Sequence, residues 1–346
     1  MKVGIIGCGL IGQKRAAALS GDDRVVAVTD VVAERAESLA RRCGASVAPN
    51  AAALVADAGV DAVVVATPHN QLAAAAQLAT EHGKHVLLEK PGARRASELE
   101  PLARAARAKG VVVQVGFNHR YHPAMQKALE LIRAGELGPL YYIRGRYGHG
   151  GRPGYDKEWR ANPEISGGGE LLDQGAHLID LASWYFAAGV GPQACRFAHV
   201  HGVIATYFWD MPVEDNAFLT LKTDAGMVAQ LQVTWTEWKN MFCLEIVGRD
   251  AKLQIDGLGG SYGTERLAFY KMRPEMGPPD TTIWEYPGAD GSWAAQWRAF
   301  RQGVETGAAD AAPSIASTQQ VLSVIEQVYV QNRASWVQPD ARGDTS

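Results

Sequence analysis

The sequence is short of the features that mark membrane proteins and nucleic-acid-binding proteins. No apolar run approaches the roughly 20 residues that a membrane-spanning helix needs. The formal net charge of the 346 residues is only −3, which gives no reason to expect nucleic acid or an anionic membrane as a partner. A single Lys precedes the first apolar run, so we do not expect a signal peptide.

Cysteine is also scarce, and two common catalytic motifs are missing. The four cysteines, Cys8, Cys43, Cys195 and Cys243, do not have the spacing of a zinc site. We therefore expect no metal, and we expect the reduced thiols of a cytoplasmic protein. The sequence has neither a G-x-S-x-G elbow nor a Walker loop, which argues against an α/β-hydrolase and a P-loop nucleotidase.

A glycine-rich turn lies at the N-terminus. The apolar run Val3–Ile6 leads into Gly7-Cys8-Gly9-Leu10-Ile11-Gly12, which has the spacing G-x-G-x-x-G. The first glycine permits a tight turn, the second lets a pyrophosphate approach the backbone, and the third lets the next helix pack on the strand. Free N–H groups at the start of that helix favour a phosphate. The pattern predicts a dinucleotide site, against the alternative of a glycine-rich turn that binds nothing.

Asp30 specifies the cofactor more closely. It ends the next apolar run, roughly 20 residues after the turn, where a carboxylate accepts hydrogen bonds from the adenosine ribose hydroxyls. This carboxylate would repel a 2′-phosphate, and the residues that follow it are Val31 and Val32 instead of an arginine. We therefore predict NAD(H) over NADP(H), although Arg35 is near enough to keep NADP(H) as an alternative.

The chain changes character near Gly116. Before it, short β-branched strands alternate with Ala-rich helices, which predicts a parallel sheet covered on both faces, the Rossmann plan. After it, alternating apolar and polar residues predict an α/β domain with an open, mostly antiparallel sheet. The predicted strands are Val3–Ile6, Val25–Val28, Ala62–Val65, Val86–Leu88 and Val111–Val115, then Tyr141–Tyr147, Ala217–Thr223, Met227–Thr234, Met241–Val247 and Leu267–Tyr270.

We expect a dinucleotide-binding domain over 1–121, a substrate-binding and oligomerisation domain over 122–338, and a loose tail over 339–346. The helices of the second domain can cover only one face of its sheet, so another subunit could cover the other face. Trp235 and Trp238 are candidates for that surface, or for the core. The predicted helices are Gln71–Thr80, Ser97–Ala108, Pro123–Ala134, Gly169–Phe186, Trp293–Thr306 and Ser314–Gln331.

Three segments carry residues suited to chemistry. Glu89-Lys90-Pro91 follows a predicted strand, and ligands of open α/β sheets bind beyond the carboxyl ends of the strands. There Lys90 would project at a bound nicotinamide; the alternative is a surface lysine before a turn. The segment 116–123 contains Asn118, His119, Arg120 and His122, which suit contacts with a cofactor amide and substrate hydroxyls, or form a polar loop.

The third segment has three glycines, Gly167–Gly169, ahead of Asp173 and His177. On a helix these two residues stand one turn apart on one face, where the acid can orient the imidazole and raise its basicity. The alternative is an ion pair on an exposed helix. Asp180 falls near the same face, as a supporting partner of this pair or as a structural residue.

Taken together, these motifs resemble the Gfo/Idh/MocA family over nearly the whole chain. The resemblance rests on the N-terminal turn, Ala66-Thr67-Pro68-His69-Asn70, Glu89-Lys90-Pro91, Asn118–Arg120 and the glycines before Asp173 and His177. It implies a Rossmann domain, a second domain with an open sheet, and dimers or tetramers built on that sheet. By the same resemblance, Lys90 looks like the active-site lysine, Asp173 like the acid and His177 like the general base.

The motifs and the resemblance together predict which residues contact ligands. For the cofactor NAD these are Gly7, Gly9, Leu10, Ile11, Gly12, Asp30, Ala66, Thr67, Pro68, His69, Asn70, Glu89, Lys90 and Asn118. The segment 149–160 supplies aromatic rings and donors that suit a carbohydrate, or arginines that suit a phosphate. The predicted substrate contacts are Lys90, Arg120, Arg152, Tyr155, Trp159, Arg160, Asp173 and His177.

The expected activity is hydride transfer between nicotinamide and a secondary hydroxyl or ketone of a sugar, nucleotide sugar or cyclitol, with C3 of a hexose ring as the specific expectation. His177 would take the hydroxyl proton and Lys90 would stabilise the developing alkoxide. Two alternatives stay open. One is glycoside cleavage that uses NAD transiently through a 3-keto intermediate, and the other is a non-enzymatic protein that senses NAD.

Overall fold

The structure, a computed structural model, describes residues 1–191, 195–308 and 313–333. The chain forms two compact units, one of residues 1–118 with 293–322 and the other of residues 119–292 with the segment from 323 onward. The predicted boundaries of the domains stay predictions, and the predicted tail 339–346 lies outside the described residues. None of the helices in the described ranges has the length and apolar character that a membrane crossing would need.

The first unit contains a six-stranded sheet in the order β3-β2-β1-β4-β5-β6, and every pairing in it is parallel. This is the doubly wound order of the Rossmann fold, as predicted. Its strands and helices are β1 (Lys2–Ile6), α1 (Leu10–Ala17), β2 (Arg24–Thr29), α2 (Ala33–Cys43), β3 (Ser46–Val47), α3 (Ala51–Ala56), β4 (Ala62–Val65), α4 (His69–Glu81), β5 (His85–Leu88), α5 (Leu99–Lys109) and β6 (Val113–Val115).

The second unit contains an eight-stranded sheet in the order β14-β13-β12-β11-β7-β10-β9-β8, in which only the β7–β10 pairing is parallel. The prediction of a mostly antiparallel sheet is confirmed. Its elements are α6 (Pro123–Arg133), β7 (Leu140–Gly148), α7 (Pro163–Ser166), α8 (Ala176–Val190), β8 (Phe197–Ala205), β9 (Asn216–Thr223), β10 (Val228–Thr234), β11 (Met241–Gly248), β12 (Ala251–Asp256), β13 (Glu265–Lys271) and β14 (Asp280–Tyr286).

Burial explains why these sequences form these strands. All four residues of β4 are buried, as expected for a strand in a parallel sheet with both faces covered. In β9 and β11 buried residues alternate with more exposed ones, so one face of the second sheet packs on the core and the other is open. Trp235 is fully buried in the core, whereas Trp238 is exposed.

Two helices close the described chain, α9 (Ser292–Thr306) and α10 (Ile315–Asn332), and both are predicted from the sequence. Trp297 and Phe300 of α9 are buried in the core of the first unit, in one cluster with Val3 and Ile5 of β1. The indole N–H of Trp297 also donates a hydrogen bond to Asp23 Oδ2 (2.8 Å). A helix nearly 300 residues away thus completes the core around the first strand.

Candidate active-site residues

The glycine-rich turn joins β1 to α1 in the manner that a dinucleotide requires. Gly7 has a φ of +96°, and a Cβ there would lie 2.5 Å from the carbonyl oxygen of Ala66. A Cβ at Gly12 would lie 2.0 Å from the carbonyl oxygen of Gly7, so only glycine fits either position. Nothing lies within 4 Å of the corresponding point at Gly9, and this leaves room for a phosphate at the start of α1.

Asp30 is held against this turn by two backbone hydrogen bonds. The N–H of Cys8 donates to its Oδ2 (2.6 Å) and the N–H of Val32 donates to its Oδ1 (2.8 Å). Burial raises the pKa of the Cys8 thiol to about 12, so at neutral pH the thiol adds no negative charge beside the turn. The carboxylate of Asp30 therefore sets the local charge, and Arg35 lies on the exposed first turn of α2.

The loop after β4 supplies a further sign of a ligand. Ala66 lies against Gly7, and Pro68 directly precedes His69, the first residue of α4. Thr67 is the residue between Ala66 and Pro68. The buried Thr67 Oγ1 has no hydrogen-bond partner among the described residues. Buried hydroxyls are normally satisfied, so this atom fits a group supplied by a cofactor. Together with the open point at Gly9, it shows that these residues fit a dinucleotide.

Glu89 and Lys90 directly follow β5, and Glu89 belongs to a buried network. Its carboxylate forms an ion pair with Arg15 of α1, and both side chains are buried. Arg15 also donates to Gln296 Oε1 (2.9 Å), whose amide donates to the carbonyl oxygen of Val115 (2.9 Å). The network anchors the strand end that carries the half-buried Lys90, and the predicted contact of Glu89 with a cofactor ribose stays a prediction.

Arg15 and Gln296 could not have been found from the sequence, because 281 residues separate them and neither belongs to a motif. The Lys90–Pro91 peptide bond is cis, which the sequence also did not indicate. Asn118 ends the first segment of the dinucleotide-binding unit and is buried. Its N–H donates a hydrogen bond to the carbonyl oxygen of Gly116 (2.9 Å).

In the second unit, Asp173 lies in a π-helical turn, Leu171–Gly175, which leads directly into α8. The predicted helix Gly169–Phe186 is therefore an α-helix with one widened turn, and such turns are frequent at functional sites. Asp173 and His177 are both buried, so the alternative of an exposed ion pair is wrong.

The glycines before this turn serve contacts within the protein. A Cβ at Gly168 would lie 1.9 Å from the Tyr329 hydroxyl, and one at Gly169 would lie 2.0 Å from the carbonyl oxygen of Glu214. The fully buried carboxylate of Glu214 accepts hydrogen bonds from the N–H groups of Gly169 (3.0 Å) and Leu171 (3.0 Å) and from the Tyr329 hydroxyl (2.8 Å). Protein atoms therefore fill the space beside Gly168 and Gly169, where a ligand could otherwise approach the start of the helix.

His177 packs against a second imidazole. The rings of His119 and His177 are stacked, with centroids 3.6 Å apart and planes 19° from parallel. Tyr147 lies beside both, at 5.3 Å from His119 and 6.5 Å from His177. The stacking restricts the orientation of the His177 ring, and two adjacent positive charges would repel each other, so the pair favours at least one neutral imidazole.

Asp173 pairs with one of the predicted substrate residues. Arg160 Nε donates to Asp173 Oδ2 (3.3 Å), and the Arg160 guanidinium also lies 3.5 Å from Glu158 and 4.6 Å from the centre of the Trp159 ring. The second arginine of the segment, Arg152, also forms an ion pair with Glu158. Both arginines thus face carboxylates of the protein, which weakens the case for a phosphate ligand.

Tyr155 lies close to the Arg160–Asp173 ion pair. Its ring packs edge-on against Trp235 (5.0 Å), and the Arg152 guanidinium lies 5.5 Å from its centre. Burial, followed by the negative charge of Asp173, raises the pKa of Tyr155 well above its ordinary value, so its hydroxyl stays protonated. The structure therefore brings together Tyr155, Arg160 and Asp173 of the predicted substrate residues.

Arg120 forms a different contact. Its guanidinium donates to both carboxylate oxygens of Asp180 (2.7 and 2.6 Å), and both side chains are buried. The Arg120 guanidinium also lies 5.4 Å from the centre of the Trp184 ring. A bidentate pair of this kind leaves few donors for a substrate, and a direct role of Arg120 in substrate binding stays a prediction.

Within the described part of the chain, no three His, Cys, Asp or Glu side chains are grouped as a metal site requires.

The parallel sheet, the glycine turn and the carboxylate of Asp30 define a dinucleotide-binding protein of the Rossmann fold. Residues 1–117 match the oxidoreductase family with an NAD-binding Rossmann fold, and residues 125–254 match the C-terminal domain of the same family. The chain belongs to the Gfo/Idh/MocA family of oxidoreductases.

Individual relatives agree with this assignment. The D-glucoside 3-dehydrogenase of Escherichia coli K12 is 30% identical over 252 residues, which are 68% of this chain and 70% of that protein. The levoglucosan dehydrogenase of Pseudarthrobacter phenanthrenivorans is 30% identical over 65% of this chain and 59% of its own length. A solved structure of levoglucosan dehydrogenase with NADH and L-sorbose matches with a TM-score of 0.83 and 24% identity, over 96% of this chain and 97% of that one.

Proposed function

We propose that this protein is an NAD-dependent dehydrogenase that oxidises a secondary hydroxyl of a sugar or cyclitol ring, with C3 of a hexose-type ring as the favoured position. The observation that carries the proposal is the Gly7–Gly12 turn with the Asp30 carboxylate bonded across it, which favours NAD over NADP. The names of the relatives in E. coli and P. phenanthrenivorans support a sugar-type substrate.

The proposed roles follow from the chemistry of alcohol oxidation. Bound NAD would accept the hydride. The Lys90 ammonium would hold the substrate oxygen and stabilise its negative charge as the proton leaves. His177, whose ring orientation is restricted by stacking on His119, would accept that proton, and Asp173 would orient the substrate or the imidazole.

A panel of sugars and cyclitols tests the proposal, with reduction of NAD followed at about 340 nm. Net reduction of NAD supports the dehydrogenase. Cleavage of a glycoside without net reduction would instead support the route through a 3-keto intermediate, and neither result with any compound would support an NAD sensor.

The variant Lys90→Met tests the role of the lysine. We expect turnover to fall at least about 10²-fold while the Kd for NAD, measured by calorimetry, changes little. Lys109→Met, which removes an exposed lysine of α5 in the same unit, is the matched control. Turnover that is equal in the two variants would refute the assignment.

We also propose that the protein forms a homodimer or homotetramer through the open face of the second sheet. Val203 of β8 and Phe218 of β9 are paired across the strands, and both side chains are exposed. Adjacent apolar side chains on an open sheet face favour contact with a second copy.

A cytoplasmic location fits the four cysteines, which are present as free thiols.

A further inference from the structure

Three aromatic side chains form an exposed surface on the second unit. Trp238 is 69% exposed and Phe208 is 47% exposed, and their ring centres lie 4.9 Å apart. Phe208 in turn lies 5.2 Å from Trp209. We call Phe208, Trp209 and Trp238 the aromatic platform. Large aromatic rings left in water cost hydrophobic free energy, so a cluster of them marks a site of interaction.

The loop that carries Phe208 and Trp209 is held by hydrogen bonds to a buried carboxylate. The fully buried carboxylate of Asp215 accepts hydrogen bonds from the N–H groups of Tyr207 (2.9 Å), Phe208 (2.9 Å) and Trp209 (3.1 Å). The indole N–H of Trp209 donates to the carbonyl oxygen of Trp235 (3.0 Å). A ligand that stacks on these rings would therefore not have to order the loop, which lowers the entropic cost of binding.

The platform is continuous with the candidate substrate residues. The ring of Trp209 lies 5.7 Å from Tyr155, the residue whose pKa responds to Asp173. Glycines line the adjoining loop: a Cβ at Gly151 would lie 2.5 Å from the Trp209 ring, and one at Gly150 would lie 3.3 Å from the Trp238 ring. Side chains at these positions would crowd the rings, so glycine lets this loop pack directly beside Trp209 and Trp238.

The charge around the platform indicates which ligand suits it. Asp210 and Glu237 flank the aromatic residues, and Lys239 is the only cation within the two loops 206–212 and 235–240. In the adjoining segment, Arg152 and Arg160 are paired with the carboxylates of Glu158 and Asp173. This balance disfavours a nucleoside diphosphate, which needs an excess of cations. Neutral pyranose rings stack their CH faces on indole and phenyl rings, and their hydroxyls bond to neighbouring polar groups.

We propose that the aromatic platform binds a second pyranose ring, joined by a glycosidic bond to the ring whose hydroxyl is oxidised. The proposal rests on the dehydrogenase function proposed above and narrows the substrate class to disaccharides and longer glycosides. Trp238 is then a residue that determines specificity through stacking.

Initial rates with NAD on D-glucose, methyl β-D-glucoside, cellobiose and maltose test this proposal. We expect a disaccharide to have the highest kcat/KM. Trp238→Ala should lower that value about 2- to 12-fold, since an aromatic contact contributes about 0.5–1.5 kcal/mol, and should leave the values for the single rings unchanged. Trp238→Phe should retain most of the preference. Tyr141→Ala, which removes a half-exposed ring of β7, is the control. It should change kcat/KM neither for the disaccharides nor for the single rings.

The outcomes separate the two proposals. If the single rings are oxidised but no disaccharide is preferred, or if Trp238→Ala lowers all rates equally, the platform proposal is wrong and the dehydrogenase stands. If no sugar or cyclitol reduces NAD, the proposed function fails; binding of cellobiose, followed by tryptophan fluorescence in wild type and Trp238→Ala, then decides the platform by itself. A lower sedimentation coefficient of Trp238→Ala would instead assign the platform to contact with a second copy.

Discussion

Glu214 and Asp215 are neighbours in the chain, and each of these buried carboxylates holds a different stretch of backbone. Glu214 accepts hydrogen bonds from the N–H of Leu171, the first residue of the π-helical turn that carries Asp173, and from the N–H of Gly169 just before that turn. Asp215 receives the three N–H groups under the aromatic platform. Buried carboxylates are tolerated only when they are well hydrogen-bonded, so this dipeptide fixes both the proposed catalytic acid and the proposed sugar surface.

Glu214 gives a prediction about pH. Burial outweighs its hydrogen bonds and raises its pKa from 4.5 to about 7. The folded protein therefore binds this proton more tightly than the unfolded chain does. The resulting stability is fully present below about pH 4.5 and is lost as the pH rises through about 7. Glu214→Gln does not undergo this loss. Its free energy of unfolding should therefore rise, relative to that of wild type, by about 3 kcal/mol as the pH increases from about 4.5 to about 7.

Urea unfolding at a series of pH values measures this difference. Glu100→Gln, which changes an exposed glutamate of α5, is the control and should follow the wild-type curve. Parallel curves for Glu214→Gln and wild type would show that the carboxyl titrates normally. Contributions from other ionisable groups cancel in the comparison because they are common to both proteins.

Individual site residues could be predicted from the sequence where they belong to a motif of consecutive elements. Gly7, Gly12 and Asp30 follow from spacing alone, because the strand, turn and helix that position them are consecutive. Glu214 and its partner Gly169 are 45 residues apart, and an isolated glutamate in a strand-like segment has no distinguishing pattern. From the sequence His119 is expected either to contact a ligand or to lie in a polar loop, and its stacking on His177 could not be predicted because stacking depends on tertiary structure.

Among the elements, α9 shows how a helix can be predicted correctly while its packing stays hidden. The periodicity of 293–306 indicates an amphipathic helix. It gives no indication that Trp297 and Phe300 pack beside β1. Four strands, β3, β8, β12 and β14, are absent from the prediction, and two of these absences have simple causes. β3 has only two residues, and most residues of β14 are exposed, so neither shows a run of alternating apolar side chains.

The burial of Trp297 leads to a prediction about stability. Trp297→Ala should destabilise the first unit by about 3–5 kcal/mol, because it leaves a large cavity in the core, while alanine keeps the helix propensity of α9. The same substitution at the exposed Trp238 should cost no more than about 0.5 kcal/mol. Thermal unfolding followed by calorimetry compares the two. Equal midpoints would contradict the packing of α9 described above.

For the molecule as a whole, the open face of the second sheet predicts self-association. Phe218→Asp places a charge beside Val203 and should shift the protein from dimer or tetramer to monomer in sedimentation velocity. Ile283→Asp makes a similar change on the edge strand β14 and should leave the assembly intact. A wild-type protein that sediments as a monomer would refute the proposed interface.

The class of both sheets could be predicted because their strands differ in patterning. Strands buried on both faces, such as β4, are continuously apolar, whereas β9 and β11 alternate. The strand order of the second sheet could not be predicted, since β7 pairs with β10 and β11, which follow it by about 80 to 100 residues. Pairings at such separation have no local signal.

The burial of α9 beside β1 has a consequence for synthesis on the ribosome. The amide of Gln296 bonds to Val115, 181 residues earlier, and the rings of Trp297 and Phe300 fill the same core. At 5–20 residues per second, roughly 10 to 40 s pass between the emergence of the sixth strand and that of its late partners. During this interval the apolar surface that Trp297 and Phe300 later cover stays exposed on the nascent Rossmann sheet, so the first unit is completed only when nearly the whole chain has been made.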